Sequence, residues 1–332
     1  MKNDNRPRIN NYKSSGIEFI EITNNVGLTA TFTNLGAAIY SIRYDDKLMT
    51  YQAKNVEDFL REDVYNGKCL GRVSGRYPSE TLIIDHKKFK LHANEGKTVL
   101  HGGKDGISSK VFSSRVFSTT EHIHVVYTYF SKAGEAGFPG NALFEVHYIL
   151  SNNKAKLKIK LLSYVTAKCP ISMSSHTFFS LGKDSLKGTK LTVHASKVLD
   201  MDPNTLLVKK AVKVPAYLDY SKGKEVLKDI DHPELNKGML KGVDHSYIFD
   251  EVNEDKAQVT LENDQYKLDI YTDFDSVVVY SDNFDPHFEA DNSKLKSRRG
   301  VAIEPQLDQS KDRYLSMHDE FSHFIRYEFS KK

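Results

Sequence analysis

A chain of 332 residues with 39% hydrophobic and 27% charged residues has the composition of a globular protein large enough to bury a core without crosslinks. Its net charge of +3, spread along the chain rather than gathered in blocks, offers no electrostatic footprint for nucleic acid or an acidic membrane. Two cysteines, Cys69 and Cys169, are too few for a disulfide framework and read as reduced thiols of a cytoplasmic protein, with a single bridge between them left open.

MKNDNRPRIN lacks an apolar h-region and no run of 18 apolar residues follows, so neither a signal peptide nor a membrane-spanning helix is expected. Tyr and Phe, at 18 each, favour pleated, half-buried surfaces. The first strand expected is IEFIEIT from Ile17. Asn55-Val-Glu-Asp-Phe-Leu reads as a short helix capped by Asn55, whose side chain can accept from the amides of the first turn. TLIIDHKKFKL from Thr81 is a hairpin, with Asp85 to Lys88 as its turn because Asp can bond the turn backbone. Strands follow at HVVYTYF from His124 and FEVHYIL from Phe144. KAKLKIKLLSYV, from Lys154, alternates Ala155, Leu157, Ile159 and Leu161 with Lys156, Lys158 and Lys160, the pattern of a half-solvated antiparallel strand. KLTVHA from Lys190, YKLDIYTD from Tyr266 and SVVVYSD from Ser276 complete the strands. Lys209 to His232 reads as a long surface excursion. With no βα alternation and no repeat, the expected fold is all-β: a large antiparallel β-sandwich forming one domain over residues 1–332.

Several motifs fail. Asn94-Glu-Gly-Lys-Thr98 resembles the end of a phosphate-binding loop, but Leu91 stands where its first glycine belongs. No GxGxxG follows a strand and no GxSxG elbow is present. His122 and His124 share one strand face, yet no third metal ligand lies nearby in sequence, so an ordinary strand face is expected and no metal.

Three segments place titratable residues at strand ends. His101 is followed by Gly102 and Gly103, which let the chain turn sharply. His176 stands between hydroxyls and Phe178-Phe179. Glu304 follows an apolar run and precedes Pro305, where a strand should end. Taken singly, such a histidine is more often structural and such a glutamate more often solvated.

Taken together and in order, these segments resemble the aldose 1-epimerase family. Gly71-Arg-Val-Ser-Gly-Arg76 resembles GRxxNR, Leu100-His-Gly-Gly103 matches LHGG, and Gly134 to Asn141 resembles G-E-x-G-[YF]-P-G-N. Ser175-His176-Thr-Phe-Phe, Val243-Asp244-His245, Tyr280-Ser-Asp-Asn-Phe284 and Ile303-Glu304-Pro-Gln306 resemble its later motifs, and the likeness runs from about Asn34 to Gln306. Gly75, Tyr77-Pro78, Ser175 and Pro305 depart from the usual Asn, Ile-Ala, Asn and Thr. They flank the expected site, so they put substrate preference in question rather than reaction type.

The resemblance implies a galactose-mutarotase-like super-sandwich. It implies His176 as general acid and Glu304 as general base, with Arg76, His101 and Asp244 binding the hydroxyls and ring oxygen of a monosaccharide. Opening a cyclic hemiacetal takes a proton from the C1 hydroxyl and gives one to the ring oxygen, each positioned transfer contributing roughly 10²–10⁴-fold. No cofactor, nucleotide or covalent intermediate is needed. Activity should be bell-shaped, falling as Glu304 protonates and as His176 deprotonates. Two other readings stay open. One is an epimerase of hexose 6-phosphates, which would need a cationic pocket from residues such as Arg72, Arg76, Arg298 and Arg299, although Arg298 and Arg299 read more simply as a solvated loop. The other is a sugar-binding module without catalysis. The preferred aldose and the oligomeric state are not legible.

Overall fold

The computed structural model describes residues 7–51, 53, 55–61, 64–283 and 298–332. Three antiparallel sheets dominate them. A nine-stranded sheet runs, in spatial order, Ser113–Ser118, His122–Ser131, Ala142–Ser151, Lys156–Val165, Glu320–Lys331, Tyr266–Thr272, Val259–Glu262, Lys190–Val193 and Lys224–Glu225. A six-stranded sheet runs Phe178–Phe179, Val301–Gln306, Ser276–Tyr280, Asp244–Ile248, Lys197–Met201 and Val208–Lys213. A five-stranded sheet holds Arg8–Ser14, Ile17–Thr23, Leu28–Thr33, Ala38–Tyr44 and Lys47–Leu48.

Alternation decides what these strands bury. Leu157, Ile159 and Leu161 are fully buried, as period two requires. The opposite face is not simply solvated: the Lys158 ammonium lies 4.1 Å from the Phe324 ring centroid, so its stem covers apolar surface. One contiguous core joins residues of all three sheets, including Phe32, Tyr148, Ile325 and Ile303.

The helix spans Val56–Leu60, and Asn55 caps it by accepting from the Asp58 amide at 2.8 Å. Phe59 anchors it, edge-on to Tyr40 at 5.3 Å. The hairpin of Thr81–Ile84 and Lys87–Lys90 is present, but its turn is shorter than the expected Asp85 to Lys88: Lys87 and Lys88 are already paired in the second strand, and only Asp85 and His86 lie between. Asp85 and His86 both take positive φ, the mirror-image turn that matches strand twist, while the Asp85 carboxylate faces Lys168 at 3.5 Å.

The expected surface excursion at Lys209 to His232 is corrected. Val208–Lys213 pairs with Lys197–Met201 in the six-stranded sheet, and Lys224–Glu225 pairs with Lys190–Val193 in the nine-stranded one. Leu218, Tyr220 and Val226 are buried between them, and the Tyr247 hydroxyl donates to the Leu218 carbonyl at 3.0 Å. The segment looks loose in sequence because its apolar residues are widely spaced. It is held because it stitches two sheets together.

Candidate active site

Glu304 lies within the strand Val301–Gln306 rather than at its end. Pro305 is accommodated there, although a proline lacks the amide that a ladder uses. Across the sheet, Glu304 stands opposite Val278, and Val278 opposite Ser246. Two residues along the strands, Asp244, Tyr280, Ala302 and Phe178 form a row over four neighbouring strands. The sheet thus sets Glu304, Asp244 and two aromatic rings side by side.

His176 sits between the two-residue strands Ser174–Ser175 and Phe178–Phe179. Backbone bonds clamp it at both ends: its amide donates to the Lys68 carbonyl at 3.0 Å, and its carbonyl accepts from the Gly67 amide at 2.8 Å. The Phe178, Tyr65 and Tyr280 rings stand 5.0, 6.1 and 6.3 Å from the imidazole, between centroids. The imidazole Nε2 lies 3.3 Å from Glu304 Oε1.

His101 takes a positive φ of 53°, directly after the strand Val99–Leu100. The next residue must be glycine: a Cβ on Gly102, at φ +92°, would lie 1.9 Å from the Gly71 carbonyl oxygen. His101 and Gly75 are bonded twice. The His101 amide donates to the Gly75 carbonyl at 2.9 Å, and the Gly75 amide donates to His101 Nδ1 at 3.2 Å. The neutral ring therefore carries its proton on Nε2 and presents a donor. Its ring meets Tyr65 edge-on at 4.8 Å and His176 at 5.3 Å.

Arg76 is gripped by a residue that sequence did not flag. Glu95 accepts from Arg76 Nε at 2.7 Å and from Nη2 at 3.1 Å, a two-point fork. Nη1 is left toward Asp244, at 3.7 Å. Glu95 belongs to the segment that resembles the end of a phosphate loop. Its contact depends on the ladder between Arg76–Tyr77 and Val99–Leu100, so no local signal announces it.

Burial governs the charges. It pushes Glu304 well above the ordinary carboxylate range, the Asp244 charge adds to this, and Arg76 opposes it. Asp244 is raised by burial against the pull of Arg76. His176 falls to about 4 through burial. His101 falls well below the usual imidazole range through burial, then through His176 and Arg76. Burial thus favours the neutral form of both His176 and Glu304 in the unliganded site.

Ligand atoms of His101, His176 and Glu304 come within 4.8 Å of one another, a spacing a metal ion could bridge. The surroundings fit a metal poorly. The Gly75 amide occupies the lone pair of His101 Nδ1, so the other nitrogen bears hydrogen, and His176 Nδ1 lacks the hydrogen-bond partner that metal-bound histidines use. Elsewhere, His122 and His124 lie 6.0 Å apart between ring centroids, and His124 stacks on Phe117 at 4.6 Å. No third ligand joins them among the described residues.

Other motifs build rather than line the site. Arg72 is buried, and its guanidinium donates to the Pro139 and Gly140 carbonyls and to Ser131 Oγ, so two of the sequence motifs form one clamp. Ser281 and Asn283 bond the backbone of Val243 and so brace Asp244. Arg298 is not in a solvated loop. It is half-buried, and it donates to Asn283 Oδ1 at 2.9 Å and to the Lys241 carbonyl at 2.6 Å. Phe284 lies outside the described residues.

All five residues anticipated from sequence are therefore brought together, through the Arg76–Asp244, His101–His176 and His176–Glu304 approaches and the charges of Asp244 and Arg76 felt at Glu304. The sequence profile described as aldose 1-epimerase matches residues 18–308, and the chain belongs to this family of isomerases. Galactose mutarotase of Bos taurus is 26% identical over 235 residues, which are 69% of this chain and 66% of that protein, just under two thirds of its length. Aldose 1-epimerase of Escherichia coli K12 is 25% identical over 80% of this chain and 78% of its own. The crystal structure of galactose 1-epimerase from Lactobacillus acidophilus superposes with a TM-score of 0.86 at 22% identity, covering 98% of this chain and 99% of that one. At that identity the likeness establishes the fold.

Proposed function

We propose that this protein interconverts the α and β anomers of an aldohexose, galactose or glucose, by general acid/base opening and reclosure of the ring. The observation that carries the reading is the His176 Nε2–Glu304 Oε1 approach of 3.3 Å beside the Phe178 and Tyr280 rings. Glu304 takes the C1 hydroxyl proton while His176 protonates the ring oxygen. The aldehyde turns about C1–C2, and the two groups exchange roles as the ring closes on the other face.

The working state needs the shared proton on His176. An ion pair at the separation of this pair gains ~5 kcal/mol at an effective dielectric of about 20. That attraction opposes the burial that penalises both the imidazolium and the carboxylate. Arg76 adds to the stabilisation of the Glu304 carboxylate. Arg76, His101 and Asp244 supply a fixed fork, a ring N–H donor and an acceptor for the ring oxygen and distal hydroxyls, so the sugar stays held while C1 rotates.

The commitment of Arg72 and Arg298 to structural bonds favours an unphosphorylated sugar over a hexose 6-phosphate. Two free, buried thiols, Cys69 and Cys169, support a cytoplasmic setting. Among the described residues no helix is long and apolar enough to cross a membrane. The continuous core supports a single domain.

The test is the optical rotation of freshly dissolved α-D-galactose with wild type, with Glu304→Gln and without protein. Acceleration by wild type that Glu304→Gln largely abolishes upholds the reading. Binding of the sugar without acceleration would make the protein a binding module.

A further inference from the structure

A free guanidinium fork matches carboxylate and phosphate groups in two-point geometry. Arg76 does not present its fork free. Nε and Nη2 already donate to Glu95, at 2.7 and 3.1 Å, and Nη1 is turned toward Asp244 at 3.7 Å. We propose that Glu95 is a specificity-determining residue, which makes the site refuse anionic hexoses by occupying the fork of Arg76 and by setting a negative charge beside it. The inference rests on the mutarotase reading and deepens it.

Three observations support this role. The first is that Glu95 is held in place by its own turn. Its amide donates to the Thr98 carbonyl at 3.2 Å, and the Thr98 amide donates back to the Glu95 carbonyl at 2.9 Å, around Gly96 at φ +62°. Asn94 ties the turn to the residue before His101, accepting from the Leu100 amide at 2.8 Å and donating to the Leu100 carbonyl at 3.1 Å. The segment that resembles the end of a phosphate loop, Asn94 to Thr98, thus presents a carboxylate to the site instead of a row of amides.

The second is the order of exposure. Side chains are 3% exposed at Glu304 and 9% at His176, but 20% at Asp244 and 27% at Glu95, so the carboxylates of Asp244 and Glu95 stand on the solvent side of the reacting pair. The third is the balance of charge. Burial works against the Arg76 guanidinium, and the Glu95 bonds with the charges of Asp244, Glu95 and Glu304 outweigh it. Burial favours the neutral form of Glu304. Glu95 and Asp244 are then two carboxyl groups beside one guanidinium. An arriving carboxylate or phosphate meets like charge and must displace Glu95 to reach the fork. A hydroxyl needs only an outer N–H of Arg76 and an acceptor oxygen.

The experiment compares galactose with galacturonate, which carries a carboxylate at C6, and glucose with glucose 6-phosphate. It uses wild type, Glu95→Gln and the double variant Glu95→Gln/Arg76→Gln near neutral pH. Titration calorimetry should show wild type binding each neutral sugar about a hundredfold tighter than its anionic counterpart. Glu95→Gln should weaken the neutral sugar and tighten the anionic one by about tenfold each, bringing each pair near parity. The double variant should bind the anions no better than wild type. Comparable binding of neutral and anionic sugars by wild type, an unchanged ratio in Glu95→Gln, or a gain that survives the loss of Arg76 would overturn the role of Glu95. If the ratios shift as expected but polarimetry shows no sugar's anomerisation accelerated, the selectivity of Glu95 stands and the mutarotase reading fails. Wild type that binds none of the four sugars would end both.

Discussion

His176 Nε2 and Glu304 Oε1 stand 3.3 Å apart with both side chains buried, so their protons cannot be assigned independently. The acid limb of the rate profile should be the second proton entering the pair, on His176, as pH falls through about 4. The alkaline limb should be the loss of the last proton, as pH rises through the elevated value of Glu304. The bell persists, but burial exchanges the residues expected on its two limbs. Following kcat/KM for galactose against pH checks this, and Glu304→Gln should remove the alkaline limb from whatever activity remains. A profile with no acid limb near the His176 value would count against the shared-proton pair.

His176→Asn should lower kcat by roughly 10²–10⁴-fold, the usual contribution of one positioned proton transfer. Sugar binding, read by calorimetry, should change little, because Arg76, His101 and Asp244 are left in place. A parallel loss of binding would mean that the imidazole holds the sugar rather than transferring a proton.

Glu95→Gln tests a positioning residue. It keeps the shape but takes the charge from the fork on Arg76. KM should rise about tenfold with kcat nearly constant, the loss of one charge-assisted bond, while the melting temperature stays within a few degrees. A fall in kcat with KM unchanged would place the effect on the chemical step instead.

Gly102→Ala should be destabilising through backbone alone. The substitution sets a Cβ 1.9 Å from the Gly71 oxygen at a φ that L-residues rarely adopt. Strain of this kind costs of order 1–3 kcal/mol, and a direct clash adds to it. Urea unfolding should record that loss, and activity should fall further than folding, since His101 is the preceding residue. Wild-type stability in the variant would show that the loop relaxes freely.

His245 provides a pH test away from the reacting pair. Burial lowers its imidazole to about 4. A depressed histidine contributes stability that is complete above its unfolded value of ~6.5 and is lost as pH falls through its folded value. Between those limits the loss is ~3 kcal/mol per such group. Thermal unfolding of wild type should weaken over that window, and His245→Gln should flatten the decline by about that amount. An unchanged slope would mean that His245 is solvated in the folded protein.

Strand alternation made much of the nine-stranded sheet readable, because half-buried strands write their burial into every second residue. Glu320–Lys331 lies at its centre and went unread: His323 stands on the otherwise apolar face, paired with Asp273, and the buried Phe324 stands on the polar one, so the alternation is broken. Arg8–Ser14 has no apolar face to read, since it is exposed on nearly every residue and held by backbone pairing with Ile17–Thr23. The five cleft residues were legible only as ordered motifs. Each in isolation has an ordinary structural reading, and their convergence is a property of the sheet. Glu95 was illegible because it is joined to Arg76 across a ladder rather than along the chain.

The row Asp244, Tyr280, Ala302 and Phe178 spans four neighbouring strands, with Glu304 two residues beyond Ala302. Side chains on a strand alternate between faces, so a slip of one residue in Val301–Gln306 would turn Glu304 away from the cleft while leaving nearly all backbone bonds intact. Anomerase activity would therefore report on strand alignment itself. A misregistered chain could look folded by circular dichroism and be silent in the polarimeter, which makes turnover the sharper measure of whether a refolded or redesigned copy has found its native pairing.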